Sequence, residues 1–289
     1  MALRSESFLL RRYIEKAMVD LPAMPAVIME VIRATDREGV TTHDIEVLLS
    51  QDPALATKVL KVVNSAYFGL PRQITNISHA VAILGFQQVR NLAMSLGVLN
   101  ALGSSNPRIQ EVQTLFWQHS FASGTCAELI ARRKGLARHD IEIAYIGGLL
   151  HDIGRLFLMT LFNLPYQQVM KESLNRHLPL RLVEQKVLGA SHAELGAELA
   201  ERWNFPPELI AMIKAHDGDF SPGEPVQEYI VHIADILSDS ISDQAFVGLK
   251  TPILSRAADW AGFSTDDYEE IKQKMTASVE QAKNMLGIL

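Results

Sequence analysis

Apolar residues along this chain recur at intervals of three and four, the period of an α-helix, and no segment alternates apolar and polar residues as a half-buried strand must. Leu55, Val59, Val62 and Ala66 share one helical face. Asp52-Pro53 opens that helix, because Asp caps and Pro is tolerated at the first helical position; Gly69 and Pro71 close it. Residues 78–84 read as a short helix ended by Gly85, residues 86–102 as the next, and residues 103–107 as a break between lobes. Further helices are predicted over 116–133, 140–161, 180–188, 191–203, 207–215, 226–241 and 266–286. Ser191 with Glu194 three residues on forms a capping box. No repeat of fixed period is present, which argues against a solenoid.

Composition narrows the class. With 48% hydrophobic and 21% charged residues and no low-complexity run, the chain buries a core and is not disordered. A net charge of −6 disfavours a duplex-binding surface, which needs clustered Lys and Arg. The densest basic cluster, Arg132-Arg133-Lys134, stands at a helix end where it complements the helix dipole. The single cysteine, Cys126, allows no intrachain disulfide and suits a reducing compartment. Residues 1–20 interleave apolar side chains with Arg4, Glu6, Arg11, Arg12, Glu15 and Lys16, unlike a signal peptide. No stretch approaches the ~20 apolar residues that cross a bilayer. The expectation is a cytoplasmic protein with neither nucleic-acid nor membrane partners.

Several of the nine histidines fall on apolar helix faces. His119 shares a stripe with Leu115, Ala122 and Cys126, and His216 follows Leu209 and Ile213. A histidine facing a core must satisfy two ring nitrogens, by hydrogen bonds or by a metal. His151-Asp152 follows Gly147 and Gly148; two glycines inside a helix, each costing about 1 kcal/mol, suggest close approach by another helix or by a bound group. His192 lies in the first turn of the capped helix. Asp235 sits in the apolar run 231–237, where a carboxylate needs a partner, and His232 is the nearest candidate. Four imidazoles and two carboxylates offer the mixed ligation that suits Fe, Mn, Ni, Co or Zn. A carboxylate bridging two such ions would serve phosphoester hydrolysis.

The order His119, His151-Asp152, His192, His216, Asp235 resembles the H…HD…H…H…D pattern of the HD superfamily of metal-dependent phosphohydrolases. Residues 147–155 look like its central motif, and His192-Ala193-Glu194-Leu195-Gly196 is similar to the HxxxG element of the HD-GYP branch. In the first half, Leu21-Pro22-Ala23-Met24-Pro25, Asp52-Pro53-Ala54-Leu55, Asn64-Ser65-Ala66-Tyr67-Phe68-Gly69 and Ala80-Val81-Ala82-Ile83-Leu84-Gly85 resemble the HDOD subfamily. The likeness covers residues 20–240 or so. It implies an all-α, HD-domain-like multi-helix bundle with an N-terminal helical HDOD lobe, expected as residues 1–105 and 106–289 packed as one unit.

The resemblance also implies function. HDOD proteins are bacterial signalling or output modules, usually near two-component or second-messenger circuitry, without a generally assigned activity. Where HD-GYP enzymes carry Lys after the dyad, this chain has Arg155; where they carry His-His it has His216-Asp217; it lacks their Gly-Tyr-Pro element, and Leu115 replaces a Glu one turn before the first His. Two functions are expected: a module acting through contacts with signalling proteins, or a hydrolase acting on a phosphoester or cyclic dinucleotide. The ligands implied are His119, His151, Asp152 and Asp235 for one divalent ion and His192 and His216 for a second, Asp152 bridging. Asp152 and Arg155 are the catalytic candidates, Arg155 either steadying a phosphate or forming a surface salt bridge.

Overall fold

A computed structural model describes residues 2–286 except 36, 65–69, 219, 221–222, 224–225, 242–252 and 254, so the Ser65 to Gly69 part of the Asn64 motif lies outside the described residues. The described chain is helical and contains no β-strand. In order the helices are α1 Ala2–Asp20, α2 Ala26–Thr35, α3 Thr42–Ser50, α4 Pro53–Val63, α5 Ile77–Leu84, α6 Phe86–Leu102, α7 Pro107–Arg133, α8 Arg138–Leu150, α9 Ile153–Leu161, α10 Asn163–Arg176, α11 Leu180–Leu188, α12 His192–Arg202, α13 Pro207–Ala215, α14 Val226–Ser238, α15 Ser255–Ala261 and α16 Thr265–Leu286. Among the described residues, no helix is long and apolar enough to cross a membrane.

The chain divides into two compact units, one built on Pro22–Gly103, the other on Met1–Leu21 with Ser104–Val279. The smaller holds α2 to α6. Its helices begin where the sequence supplies caps: Thr41 and Asp44 form a capping box on α3, Asp52 accepts from the Leu55 N–H with Pro53 in the first turn of α4, and Asn76 caps α5. Gly85, at φ 87°, ends α5 in a backbone conformation that only glycine adopts without strain. Asn64 clamps the chain after α4, donating to the Leu60 and Ile74 carbonyls and accepting from the Ile74 N–H.

In the larger unit α7 is the spine, packed on α8 and α14. It begins at Pro107 under an Asn106 cap, nine residues before the expected start. Ala122, Cys126, Ile130, Ala144, Ile230, Ile233, Ile271 and Met275 form a core that joins α7, α8, α14 and α16. Burial pushes the Cys126 thiol far up, so it stays protonated. The basic cluster is used inside the fold: Arg132 pairs with Glu128, Arg133 with Asp267 and Glu270, and Lys134 donates to the Trp260 carbonyl. α1, counted from sequence with the N-terminal lobe, groups with this unit and is tied to it by Arg11, whose Nη2 reaches Glu198 at 2.6 Å.

Two main-chain contacts set the geometry. A Cβ on Gly148 would stand 2.6 Å from the Ser123 carbonyl oxygen and 2.9 Å from Gly124 Cα, so α8 meets α7 backbone to backbone. At Gly147 the space is taken by Met212 and Val231. Another helix, not a bound group, accounts for both glycines. Residues 140–161, expected as one helix, form two, because the chain leaves helical geometry at Asp152 (φ −96°, ψ 17°) and restarts with Arg155 and Leu156 N–H on the Asp152 carbonyl. The apolar period runs through this break unaltered, which is why periodicity alone missed it.

α9 then crosses α12 so closely that a Cβ on Gly154 would lie 1.9 Å from the His192 carbonyl oxygen and 2.7 Å from Gly196 N. Neither obstacle is a side chain that can swing aside. Gly154→Ala is therefore expected to lower stability by about 1–3 kcal/mol or more, with helix content retained, in urea titrations followed by circular dichroism. A wild-type midpoint would mean that the crossing yields freely.

Candidate metal centre

Six side chains from five elements meet inside the larger unit. His119 comes from α7, His151 and Asp152 from the α8–α9 junction, His192 from the first position of α12, His216 from the C-terminal cap of α13 and Asp235 from α14. All are buried, none more than 5% exposed. They form two groups of mutually close donor atoms, His119–His151–Asp152–Asp235 and Asp152–His192–His216, which share Asp152. Every residue expected as a ligand from sequence is thus in the cluster.

Hydrogen bonding fixes how the rings face. A carbonyl or carboxylate oxygen only accepts, so a ring nitrogen bonded to one must carry the proton. His151 Nδ1 donates to the Gly148 carbonyl, His216 Nδ1 to the Ile213 carbonyl and His192 Nδ1 to Glu184 Oε2, each at 2.7 Å. The Ser238 hydroxyl donates to the Asp235 carbonyl, so its oxygen accepts from His119 Nδ1 at 3.1 Å. With every Nδ1 so engaged, all four Nε2 point inward, where an Nε2 without a proton offers its lone pair.

The four Nε2 face each other and the carboxylates. His119 and His151 Nε2 lie 3.3 Å apart, and Asp235 Oδ1 is 3.0 and 3.1 Å from them. His192 and His216 Nε2 are 3.2 Å apart and lie 3.3 and 3.4 Å from Asp152 Oδ1, which makes no hydrogen bond of good geometry. Nitrogens and carboxylate oxygens gathered at such distances are held together by protons shared among them or by a cation. Donors around one ion with bonds of about 2.0–2.1 Å are spaced about 2.8–3.4 Å apart along octahedral and tetrahedral edges. The residues fit a divalent ion in both groups.

Charge is compensated from within. Arg155 Nη1 lies 3.0 Å from Asp152 Oδ2, with both residues 2% exposed; the pair is a buried one, not the surface bridge entertained from sequence. Burial opposes the Asp152 charge, but Arg155 and His151 hold the carboxyl well below its usual range. At His192 burial favours the neutral ring, yet Glu184 and Asp152 push it up to about 9. That shift favours a proton on His192 Nε2 at neutral pH when no ion is present. His232, expected beside Asp235, turns Nδ1 to the His216 carbonyl at 2.6 Å, and its ring packs edge-on against Phe220.

Sequence reasoning missed Glu184 and Tyr166. Glu184 is 0% exposed on α11 and accepts from the Tyr166 hydroxyl and from His192. A signal was present: Leu180, Glu184 and Leu188 follow one another at intervals of four, placing a carboxylate in the apolar stripe. Ser123 and Ser238, 2.7 Å apart beside His119, were missed as well, and two hydroxyls leave no such trace.

Comparison with known proteins places these features in a family context. The HDOD domain model matches residues 21–218, so that Asp235 lies beyond the matched segment. An uncharacterized protein of Treponema pallidum (strain Nichols) is 32% identical over 197 residues, which are 68% of this chain and 37% of that protein. The chain therefore spans little more than a third of that relative. A candidate phosphohydrolase from Shewanella amazonensis SB2B has a similar structure, with TM-score 0.70 and 25% identity over 94% of this chain and 97% of that one. A candidate signal transduction protein from Marinobacter aquaeolei VT8 shares the fold, with TM-score 0.72 and 21% identity over 97% of this chain and 66% of that one.

Because an ion must displace the His192 proton, affinity for added Mn(II) is expected to rise with pH, by up to about tenfold per unit, and to level off above about 9. Competition with a chelator at several pH values measures it. Affinity independent of pH would show that no proton is displaced.

Proposed function

The chain belongs to the HDOD family, and on that premise we propose that it is a signal-transduction module acting through contacts with other proteins, its HD-type centre holding one or two divalent ions. The observation that carries this reading is burial: all six donors are at most 5% exposed, and Arg155, the cation best suited to a phosphate, is equally hidden and engaged by Asp152. Hydrolysis requires that substrate and water reach the ion, whereas an ion that braces five elements needs only its ligands. The fold shared with the candidate signal transduction protein agrees with this reading.

When bound, an ion would supply fixed positive charge and, toward a phosphoester, Lewis acidity. The chain's own residues do the rest. His119, His151, Asp152 and Asp235 would hold one ion, and His192 and His216 a second, shared through Asp152. The acceptors on each Nδ1 keep the four rings turned inward, and Arg155 keeps Asp152 ionised.

A second reading, a metal-dependent phosphohydrolase acting on a phosphoester or cyclic dinucleotide, is favoured by the completeness of the two donor groups and by the likeness to the Shewanella protein. In it Asp152 would be the carboxylate common to both donor groups, and Arg155 would have to leave Asp152 to meet a phosphate.

Metal analysis by mass spectrometry on anaerobically purified protein separates the readings. One or two transition-metal ions per chain, lost in His151→Ala, with no turnover in a phosphoester and cyclic-dinucleotide screen, is the expected result. Turnover that disappears in His151→Ala would sink the module reading and establish the hydrolase. A folded wild type without metal would remove the ion from both.

Asp152→Ala should lose the ions too, but at greater cost. It deprives Arg155 of its carboxylate partner inside the core, a change worth about 3–5 kcal/mol in chemical denaturation. Asp152→Ala with Arg155→Leu should recover part of that loss. A double variant no more stable than the single one would show that the ion pair is not the cause.

A further inference from the structure

Glu184 belongs to neither donor group, yet it is 0% exposed on the buried face of α11. A carboxylate placed there is tolerated only if its oxygens are taken up by donors. Oε1 accepts from the Tyr166 hydroxyl at 2.5 Å. Oε2 accepts twice from a single residue: from the main-chain N–H of His192 at 2.9 Å and from its Nδ1–H at 2.7 Å.

That double contact has a specific effect. His192 is the first residue of α12, where the main-chain N–H has no partner within the helix. Glu184 supplies that partner and grips the ring with the same atom, so backbone position and ring orientation are set together. With the proton held on Nδ1, Nε2 is turned away from Glu184 to face Asp152 Oδ1 at 3.3 Å and His216 Nε2 at 3.2 Å. The neighbouring box, Ser191 with Glu194, holds the start of α12 independently, so Glu184 is not needed merely to begin the helix. Tyr166 in turn fixes the carboxylate from α10 through its buried hydroxyl.

We infer that Glu184, braced by Tyr166, is the positioning residue of the Asp152–His192–His216 group: it sets the tautomer and direction of His192 and thereby the affinity of that group for a divalent ion. This rests on the cluster being a metal centre. A carboxylate behind a ligating histidine changes metal affinity by about 10–100-fold.

The test compares wild type, Glu184→Leu, which keeps volume without an acceptor, and Glu184→Gln, which keeps an acceptor. The first readout needs no metal: nitrogen-edited NMR of the His192 ring, in which a hydrogen-bonded Nδ1 proton is expected for wild type and Glu184→Gln and is lost in Glu184→Leu. The second is titration with Mn(II) alone. The second ion is expected to bind Glu184→Leu about 10–100-fold more weakly, the first ion to be unaffected, and Glu184→Gln to stay near wild type. A purely structural Glu184 would lower the Tm of Glu184→Leu while leaving ring proton and second-ion affinity unchanged, and that result overturns the inference. If Glu184→Leu does not fold, the wild-type spectrum still decides, since absence of the Nδ1 proton there also overturns it. No Mn(II) binding by wild type defeats the metal reading and the affinity half with it, while the ring proton still judges the positioning half.

Discussion

One carboxylate organises the larger unit. Asp152 sits where two helices part, with Oδ2 paired to Arg155 and Oδ1 directed at two imidazoles from α12 and α13. A charge so buried is costly, and each neighbour can be read as part of the compensation. The break between α8 and α9 turns the carboxyl inward, Gly154 lets α12 come close enough for His192 to reach it, and Arg155 stands one turn on to neutralise it. Local irregularity, close crossing and buried cation are three aspects of the same requirement.

Around that carboxylate the polar groups are ordered by direction rather than by number. Each imidazole gives its Nδ1 proton outward, to a carbonyl, a hydroxyl or Glu184, and keeps Nε2 inward. An ordinary buried cluster would alternate donors and acceptors. Here ring nitrogens meet ring nitrogens and carboxylates, an arrangement satisfied by protons on the rings or by an ion.

Much of this was legible in the sequence, and the omissions have physical causes. Helix starts at Asp52 and Ser191 and the stop at Gly85 were readable because capping is chemistry local to a few residues. The six clustered residues were recognisable from their order, although only the fold brings His119 within 3.0 Å of Asp235, 116 positions away. The break at Asp152 was hidden because a turn that preserves the phase of the apolar face leaves no mark on periodicity. Helices α2, α3, α10 and α15 were missed because short apolar runs of the kind they carry register weakly in a periodic count. Glu184 was overlooked because a lone acid in a helix is usually solvated, and only its place between Leu180 and Leu188 spoke against that.

The crossing of α9 and α12 has one more consequence. Where helices meet through side chains, substitutions elsewhere can be absorbed by rotamer changes, and the axes drift over evolutionary time. Where they meet main chain to main chain, as at Gly154 and Gly196, the separation is a van der Waals distance with no adjustable part. The gap between Asp152 and His192 is therefore insulated from sequence drift in the surrounding core. Apolar residues around the centre can change size without moving the polar ones, so the gauge of the centre resides in two residues that have no side chains.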